Sequence, residues 1–372
     1  MNLTVNAADL ARQATWIARA VPPSRSVPVL GAVEVTALVG GLRLRRTDYE
    51  VFVEAVLDAD GGANATILID PGNLVAQLKP IAKTVTGVAD LTITDTHLTI
   101  SSAERTVKLK AMNVGGAEFP TWPKFIPDDA DETLISARQL ARALVSIGTD
   151  DTLPALTALR FDEGMMVSTN RIRLSRIRYD REGGITASVS GAALRPFAAG
   201  DEAIFIEGGR LAGDGARIGI GALRLRSADE RISITRVLDA DFPKWQNLIP
   251  ESAAVSVMFR RRDLLAAMGK GEDVTLTLEE PDDEGQGVMR VVSTDRAGDT
   301  EIEQSIEVTY LAFAGELPFT VRLARTSLEE CAKGIASGAL QLDANHPHKP
   351  VVLTGAGYDD DFHMMMPIRM PA

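Results

Sequence analysis

The chain of 372 residues presents the same ordered landmarks three times, and this repeat constrains its fold more than any other feature. An amphipathic helical segment opens each third, with matching positions at residues 8–12, 138–142 and 262–266. An apolar strand follows in each third and ends in a threonine and a polar residue, at Thr47-Asp48, Thr169-Asn170 and Thr294-Asp295. Because the landmarks keep their order and nearly constant spacing, the sequence predicts three copies of one structural unit.

The closing phrases of the units give their boundaries. The first unit closes on Phe-Pro-Thr-Trp at residues 119–122, and the second closes on Phe-Pro-Lys-Trp at residues 242–245. An Ile-Pro follows each phrase, and the third unit closes at the C-terminus on Met366-Pro367-Ile368-Arg369. We therefore predict three domains, comprising residues 1–127, 128–250 and 251–372.

Within each unit the hydrophobic pattern alternates between two periods. Residues 91–100, 222–226 and 274–278 alternate apolar and polar side chains, which is typical of half-buried strands. Clusters of Gly and Asp between such segments indicate hairpin turns. Second helical segments are predicted at residues 70–83, 190–199 and 327–337. Each unit is therefore predicted to be an α+β domain of antiparallel sheets plus two helices.

The composition is that of a soluble globular protein, with 45% hydrophobic and 24% charged residues. The sequence contains no apolar run long enough to cross a bilayer and no N-terminal secretory pattern, so no membrane association is expected. Its one cysteine, Cys331, excludes a disulfide framework and fits a reducing compartment. We predict a cytoplasmic protein.

Positive charge is concentrated in the predicted helices. The formal net charge is −12, yet the six predicted helical segments sum to +7 and the remainder to −19. Basic helices on an acidic body suit a polyanion that is held against one surface and repelled from the others. Aromatic residues do not interleave with the basic positions, so the pattern favours sequence-independent contact with a duplex backbone over stacking on single-stranded bases.

The whole chain resembles the bacterial DNA sliding clamp, the beta subunit of DNA polymerase III. The segments that carry the resemblance are residues 25–30 (Arg-Ser-Val-Pro-Val-Leu), 44–50, 168–174, 349–353 and 364–370, together with the two Phe-Pro phrases. The resemblance implies a non-catalytic processivity factor without cofactor or metal. It implies a nucleoid-associated homodimer of three-domain protomers, closed head-to-tail as a ring around double-stranded DNA, with helices lining the hole.

The resemblance and the charge pattern together assign a DNA-facing role to nine basic residues. Eight of them fall on the predicted helices, and one follows the first helix. They are Arg12, Arg19, Arg25, Lys79, Lys83, Arg138, Arg142, Arg195 and Arg260.

The resemblance also implies an apolar pocket between the second and third domains that takes a short peptide from partner proteins. Its partners would be the DNA polymerase III alpha subunit, the clamp loader, and other polymerases and repair factors. Methionines make an adaptable apolar surface, and Arg173 or Arg369 would take a peptide carbonyl or carboxylate. The residues carried over are Leu156, Thr169, Arg173, Leu174, Pro243, Leu248, Pro350, Met364, Met365, Met366, Pro367, Ile368 and Arg369. Without the resemblance, Met364–Met366 is also typical of an ordinary buried strand.

Ring closure would pair an edge strand of the first domain with one of the third. The two candidate edges carry opposite charges, which set register and partner choice. The residues predicted at this interface are Arg105, Val107, Lys108, Leu109, Lys110, Met268, Glu301 and Glu303.

The chain departs from the family pattern at three places. Arg171 and Ile172 replace the usual Gly and His of the second-unit turn, which is expected to place a long side chain at the pocket floor. Residues 148–154 are acidic where relatives present aromatic and basic groups, and residues 190–192 lack the usual Pro-Arg-Lys. We therefore predict a divergent clamp, with a restricted partner set and weaker DNA contact from the second domain.

Two other classes of protein are alternatives. A metalloenzyme would need ligands such as His346, His348 and the aspartates at 359–361, but these residues fall in loop-like sequence. A β-rich assembly protein unrelated to DNA is the second alternative. Retention on circular but not on linear duplex DNA distinguishes a clamp from both.

Overall fold

The fold is described from a computed structural model of the chain. It covers residues 2–22, 26–62, 64–83, 87–128, 132–179, 184–200, 202–212, 220–294, 301–314, 316–356 and 358–369. Its 25 strands and six α-helices repeat one order of elements three times, namely a strand, a helix, four strands, a helix and three strands. One additional strand precedes the second copy of this order. The described part of the chain therefore confirms the predicted α+β class.

The first repeat contains two helices and eight strands. The helices are α1 (Ala7–Ala20) and α2 (Pro71–Ile81). The strands are β1 (Asn2–Asn6), β2 (Val33–Leu38), β3 (Gly41–Thr47), β4 (Val51–Gly61), β5 (Ala65–Ile69), β6 (Val88–Ile93), β7 (His97–Ser101) and β8 (Thr106–Lys110). The alternating segment 91–100, predicted as strand, is a hairpin in which a turn separates β6 from β7.

The second repeat has shorter helices, α3 (Ala137–Ala143) and α4 (Gly191–Leu194), each continued by one turn of 3₁₀-helix. Pro196 lacks a backbone N–H, which explains why α4 ends after one turn. The strands are β9 (Lys124–Pro127), β10 (Thr133–Ser136), β11 (Ala158–Asp162), β12 (Met165–Thr169), β13 (Arg173–Arg178), β14 (Ala187–Ser190), β15 (Ala203–Ala212), β16 (Ile220–Ser227) and β17 (Arg231–Arg236).

The third repeat contains α5 (Arg261–Ala267) and α6 (Arg325–Gly334). Its strands are β18 (Val255–Arg260), β19 (Asp273–Leu278), β20 (Gln286–Thr294), β21 (Glu301–Phe313), β22 (Phe319–Ala324), β23 (Ala339–Ala344), β24 (Val351–Gly355) and β25 (Tyr358–Met365). Among the described residues, no helix combines the length and apolar character needed to span a bilayer.

The chain forms two compact units, each with one antiparallel sheet. The first unit comprises residues 1–137 and 192–237 and contains a 13-stranded sheet. The second comprises residues 138–191 and 238–372 and contains a 12-stranded sheet. Each sheet joins strands of successive repeats, because β17 pairs with β4 in the first unit and β25 pairs with β13 in the second. The three-domain boundaries at 127 and 250 stay a prediction.

The repeated threonine landmark is a turn that both of the first two repeats build with the same hydrogen bonds. In the first, the Asp48 carboxylate accepts from the backbone N–H groups of Glu50 and Val51, at 3.0 and 2.8 Å. In the second, the Asn170 side chain accepts from Ile172 and Arg173, at 3.1 and 2.7 Å. The polar residue after threonine is therefore required because its side chain closes the hairpin turn. Asp295 of the third landmark lies outside the described residues.

Candidate functional site

The helix that carries Arg12 and Arg19 is held at both ends. At its N-terminus the Asn6 side chain accepts from the N–H groups of Ala8 and Asp9, at 2.9 and 3.0 Å. At its C-terminal end the buried Arg46 guanidinium donates to the carbonyl oxygens of residues 18 and 21, at 2.8 and 2.6 Å. These bonds satisfy backbone groups that a helix leaves unpaired at its ends. Burial lowers the pKa of Arg46, and its role as a helix cap could not be read from the sequence pattern.

A concavity of about 940 Å³ in the first unit brings together side chains of α1, α2 and α4. Alanine, valine and proline side chains and the Trp16 ring form its apolar part. Its cationic lining residues are Arg12, Arg19, Lys79, Lys83, Arg195 and Arg231. Five of these six were predicted to face DNA, and the fold gathers them from distant parts of the sequence onto one surface, where Arg12 is also ion-paired with Asp9 and Asp229. We call it the basic concavity.

Trp16 anchors this surface. Its ring meets Phe197 edge-on, with centroids 5.4 Å apart, and the Arg231 guanidinium lies 5.4 Å from the Trp16 centroid. Arg231 also forms an ion pair with Asp229 at 3.2 Å, and its Nε–H donates to the Gln13 side-chain oxygen at 2.8 Å. Because Arg231 is half-buried and that burial lowers its pKa, it stiffens the wall of the concavity more than it presents charge to solvent.

The other predicted DNA-facing residues fall into three groups. Arg138 and Arg260 are exposed at the beginnings of α3 and α5, and Arg260 lines a basic recess of about 450 Å³ with Arg261 and Arg262. Arg25 lies outside the described residues.

Arg142 is placed differently from the prediction. Its side chain is only 14% exposed, and its guanidinium donates to the Asp361 carboxylate at 2.6 Å and to the Gly334 carbonyl at 2.8 Å. Because this charge is already neutralised inside the second unit, Arg142 connects elements of the fold and is not available as a free cation.

The residues carried over for the peptide pocket surround a small apolar cluster on one face of the second-unit sheet. We call it the tail cluster, and its buried members are Val167, Leu174, Trp245, Phe362 and Met364. The register explains its composition, because Leu174 on β13 is directly opposite Met364 on β25. The indole N–H of Trp245 donates to the Asp162 carboxylate at 3.2 Å, which fixes the ring.

Exposed apolar side chains border the tail cluster. Met366, which follows β25, is 40% exposed, and its N–H donates to the Ile172 carbonyl at 2.8 Å. Ile172 is 55% exposed, and Leu248, at the end of the 3₁₀-helix that contributes Trp245, is 48% exposed. Apolar side chains left in water beside a buried cluster are the expected composition of a peptide-binding surface.

A smaller cavity of about 310 Å³ adjoins the tail cluster. Pro350, Val352 and Phe362 line it together with Arg176, whose guanidinium lies 4.6 Å from the Phe362 ring centroid. The sequence prediction missed Arg176 and Phe362. Their period-two spacing from Leu174 and Met364 on the same strands would have placed them on the same face.

The alternation of strands corrects two of the pocket assignments. Met365 lies on the opposite face from Met364 and belongs to the core of the third repeat at 1% exposure, so it cannot contact a bound peptide. Arg173 also lies on the opposite face from Leu174, and its guanidinium forms an ion pair with Glu330 of α6. The buried-strand interpretation of the methionines is therefore right for Met365.

The remaining pocket residues divide by exposure. Leu156 and Thr169 are buried, and the Thr169 hydroxyl donates to the Arg173 carbonyl at 2.7 Å within the turn. Pro243, Pro367 and Ile368 are half-buried, and Arg369 is exposed. The Ile368 N–H donates to the Arg322 carbonyl at 2.8 Å, which anchors the tail beyond Met366.

The side chains of the two turn substitutions, Arg171 and Ile172, are exposed. Arg171 is exposed and adopts a φ of 74°, the left-handed conformation that glycine adopts most easily. Its side chain faces solvent near Asp150, whose pKa is lowered by hydrogen bonds from Thr152 and by the nearby Arg171 charge. The expected long side chain at the pocket floor stays a prediction.

Two strand edges hold the residues predicted at the closing interface. Within the described chain, β8 pairs only with β7, and residues 301–308 of β21 pair only with β20, because β18 joins β21 from Thr309 onward. The exposed residues on these edges are Arg105, Lys108, Lys110, Glu301 and Glu303, and Val107 is half-buried. Leu109 and Met268 are each 9% exposed and pack inside their own units.

Buried titratable groups in the second unit are structural. His363 is fully buried, and its pKa is lowered to about 3 by burial and by the Arg142 charge. Its Nδ1 lies 2.7 Å from the Ser175 hydroxyl, which in turn lies 2.6 Å from the Ser146 hydroxyl. Burial raises the pKa of the Cys331 thiol to about 12. No group of three His, Cys, Asp or Glu side chains suited to a metal ion occurs in the part of the chain that the structure describes.

Comparison with known proteins agrees with this architecture. Residues 1–123 match the family model for the N-terminal domain of the DNA polymerase III beta subunit. The beta sliding clamp of Streptomyces coelicolor is 26% identical over 408 aligned residues, which cover 100% of both chains. A beta sliding clamp homolog of Streptomyces muensis is 28% identical, and the alignment covers 68% of this chain and 67% of that homolog.

Solved structures share the fold over the full length. The DNA polymerase III beta subunit of Thermotoga maritima matches with a TM-score of 0.78 at 18% identity, covering 100% of both chains. The sliding clamp of Bartonella birtlesii, solved bound to griselimycin, gives the same TM-score, identity and coverage. The fold and its two surfaces thus define a three-repeat antiparallel scaffold of the clamp type. The chain is similar to bacterial DNA sliding clamps over its full length, and its first 123 residues match the family model of their N-terminal domain.

Proposed function

We propose that this chain is a DNA sliding clamp, a processivity factor. Two copies close head-to-tail into a ring around duplex DNA and tether the replicative polymerase and other DNA-processing proteins. The observation that carries the proposal is that both junctions between successive repeats use the same strand pairing. Among the described residues, the two strands that would form a third such junction each have an unpaired edge. A second copy would supply the missing neighbour for each edge.

The register of the internal junctions predicts the register of the closing one. The threonine landmarks Thr47, Thr169 and Thr294 pair with Phe52, Leu174 and Glu301, so these three partners occupy equivalent positions. The last strands are aligned in the same way. Following the strand pairing from the first strand of each repeat to its last strand places Lys108, Ile234 and Met364 at equivalent positions.

Phe52 pairs with Ile234, and Leu174 pairs with Met364. The equivalent third pair is Glu301 of one copy opposite Lys108 of the other. The flanking pair would be Ile302 opposite Val107, which buries an isoleucine that is 39% exposed in the single chain. Opposite charges directly across a strand pair and an apolar pair beside them favour this register.

The basic concavity and the recess at Arg260 are the surfaces proposed to face the duplex. Their cations are spaced on helices, and no base-reading motif accompanies them, which supports contact with phosphates in any sequence. A ring needs only weak contacts of this kind, because its topology, and not its affinity, prevents dissociation.

The decisive experiment is topological. Dimers dissociated by dilution are reassembled by concentration in the presence of nicked circular duplex, and bound protein is followed by gel filtration. We expect retention on the circle and rapid loss once a restriction enzyme linearises it. Equal retention on both forms would mean that the chain binds DNA without encircling it.

The tail cluster is the proposed site for partner peptides, including those of the DNA polymerase III alpha subunit and of the clamp loader. Griselimycin, which the Bartonella clamp structure contains, provides a ready probe. We expect Met366→Asp to reduce griselimycin binding at least tenfold, measured by calorimetry, because a carboxylate would be desolvated at the border of the cluster. Leu311→Asp, an exposed apolar residue of β21, is the matched control and should bind normally. Unchanged binding by Met366→Asp would refute this placement.

A further inference from the structure

The first helices of the three repeats differ at one equivalent position. Each helix begins directly after a strand, and its sixth residue is Arg12 in α1, Arg142 in α3 and Ala266 in α5. The same three residues close the matching segments 8–12, 138–142 and 262–266 of the sequence repeat. Two repeats therefore keep an arginine where the third has a methyl group.

Both arginines connect their own repeat to the last hairpin of the next repeat. Arg12 of the first repeat forms an ion pair with Asp229, in the turn between β16 and β17 of the second. Arg142 of the second repeat forms an ion pair with Asp361, on β25 of the third, at 2.6 Å. We call this interaction the arginine latch.

The two latches are placed to hold their junctions. The Arg142 and Asp361 side chains are 14% and 12% exposed, and the Arg12 and Asp229 side chains are 44% and 18% exposed. Both arginines also make a second polar contact, to the Gly334 carbonyl and to Asp9 respectively. The Arg142–Asp361 pair is largely buried, so separating it would leave a desolvated charge without its partner, whereas the exposed Arg12 is held by two carboxylates at once.

The third repeat cannot form the latch. Ala266 is exposed on α5 and has no group that could reach across a junction. In a head-to-tail dimer, the repeat that follows the third is the first repeat of a second copy. Its last turn, residues 102–105, reads Ser-Ala-Glu-Arg, and it aligns with Ser227-Ala228-Asp229 of the second repeat. Glu104 is exposed in that turn, in the place of the latch aspartate.

We propose that the junction between two copies is held by strand pairing without an arginine latch, so it separates more readily than either junction within a chain. The proposal rests on the head-to-tail dimer proposed above. It makes Ala266 the residue that sets how easily the ring parts, and it predicts that an arginine there would pair with Glu104 of the second copy.

The test is the rate of subunit exchange between dimers labelled at the N-terminus with donor or acceptor dyes. Ala266→Arg should slow exchange about three- to fivefold relative to Ala266→Gln, a neutral side chain of comparable length. The slowing of exchange should disappear when Glu104→Gln is combined with Ala266→Arg, and it should become smaller as the salt concentration is raised.

The outcomes separate the latch from the dimer itself. If the unaltered chain remains monomeric at micromolar concentration, the proposed ring fails before the latch is in question. If the unaltered chain exchanges as a dimer and Ala266→Arg exchanges at the same rate as Ala266→Gln, the latch proposal is wrong. If Ala266→Arg still slows exchange in the presence of Glu104→Gln, the latch proposal is also wrong, because the added arginine then acts through another group.

Discussion

At the scale of single residues, backbone conformation at the second-repeat turn is informative. Arg171 and Tyr49 occupy the same turn position in successive repeats, and their φ angles are 74° and 73°. This region costs an L-residue roughly 1 kcal/mol because its Cβ crowds the backbone. The backbone N–H groups of Arg171 and Arg173 donate to the side chains of Thr169 and Asn170, and these hydrogen bonds hold the turn against this cost.

Replacing Arg171 by glycine should therefore stabilise the chain. We expect Arg171→Gly to raise the free energy of unfolding by about 0.5–1 kcal/mol, measured by urea denaturation. The control is Ile172→Gly, because Ile172 does not have a positive φ and glycine there adds only chain entropy to the unfolded state. A stabilisation by both substitutions, or by neither, would show that the backbone conformation is not the cause.

His363 gives a pH dependence whose sign follows from its environment. Its pKa is about 3 in the fold and about 6.5 in the unfolded chain, so the unfolded state binds one more proton between these values. Stability contributed by the neutral histidine is therefore complete above pH 6.5 and is lost as the pH falls toward 3.

We expect His363 to add up to about 1.4 kcal/mol per pH unit to the loss of stability on acidification. His363→Asn, which keeps a partner for Ser175, should show a shallower dependence in thermal denaturation between pH 4 and about 6.5. His346→Asn, at an exposed histidine, should retain the slope of the unaltered chain. Parallel curves for all three proteins would exclude His363 as the titrating group.

At the scale of elements, the free edges of β8 and β21 are a liability unless they are paired. Charge across the predicted closing junction should control its affinity. We expect Lys108→Glu and Glu301→Lys each to weaken dimerisation several-fold at low salt, because each places like charges opposite one another, and the double variant to restore it. Analytical ultracentrifugation provides the measurement.

The control is Lys124→Glu on β9, an exposed residue. It changes the net charge by the same amount as Lys108→Glu and should leave the dimer intact. If the double variant is no better than the single ones, Glu301 and Lys108 are not opposite each other and the register carried over from the internal junctions is wrong.

The elements show what sequence periodicity can and cannot predict. The three repeats, their strand class and the basic helices were predictable, because hydrophobic period and local capping encode them. The separation of Met364 from Met365 was also predictable from strand alternation. The roles of Arg142 and Arg173 were not, because their partners Asp361 and Glu330 lie 219 and 157 residues away in the chain.

At the scale of the whole molecule, an acidic protein with a basic concavity should bind duplex DNA with a measurable salt dependence. Each cation that neutralises a phosphate adds about 0.9 to the slope of log K against log salt. We expect Lys83→Glu with Arg195→Glu to reduce the slope by about 2, measured by fluorescence anisotropy on a duplex, without changing dimerisation. Arg210→Glu, on β15 outside the concavity, should leave the slope unchanged. A slope that falls equally in both proteins would indicate a general charge effect.

Because each chain offers two different unpaired edges, a defective copy can inhibit intact copies by pairing with them. Because β8 and the first half of β21 are different surfaces, a chain that has lost one of them still offers the other to a normal copy. Such a mixed pair joins at one end and stays open at the other. A defective gene copy expressed beside the intact one would therefore consume functional chains in rings that never close, and its effect would be dominant.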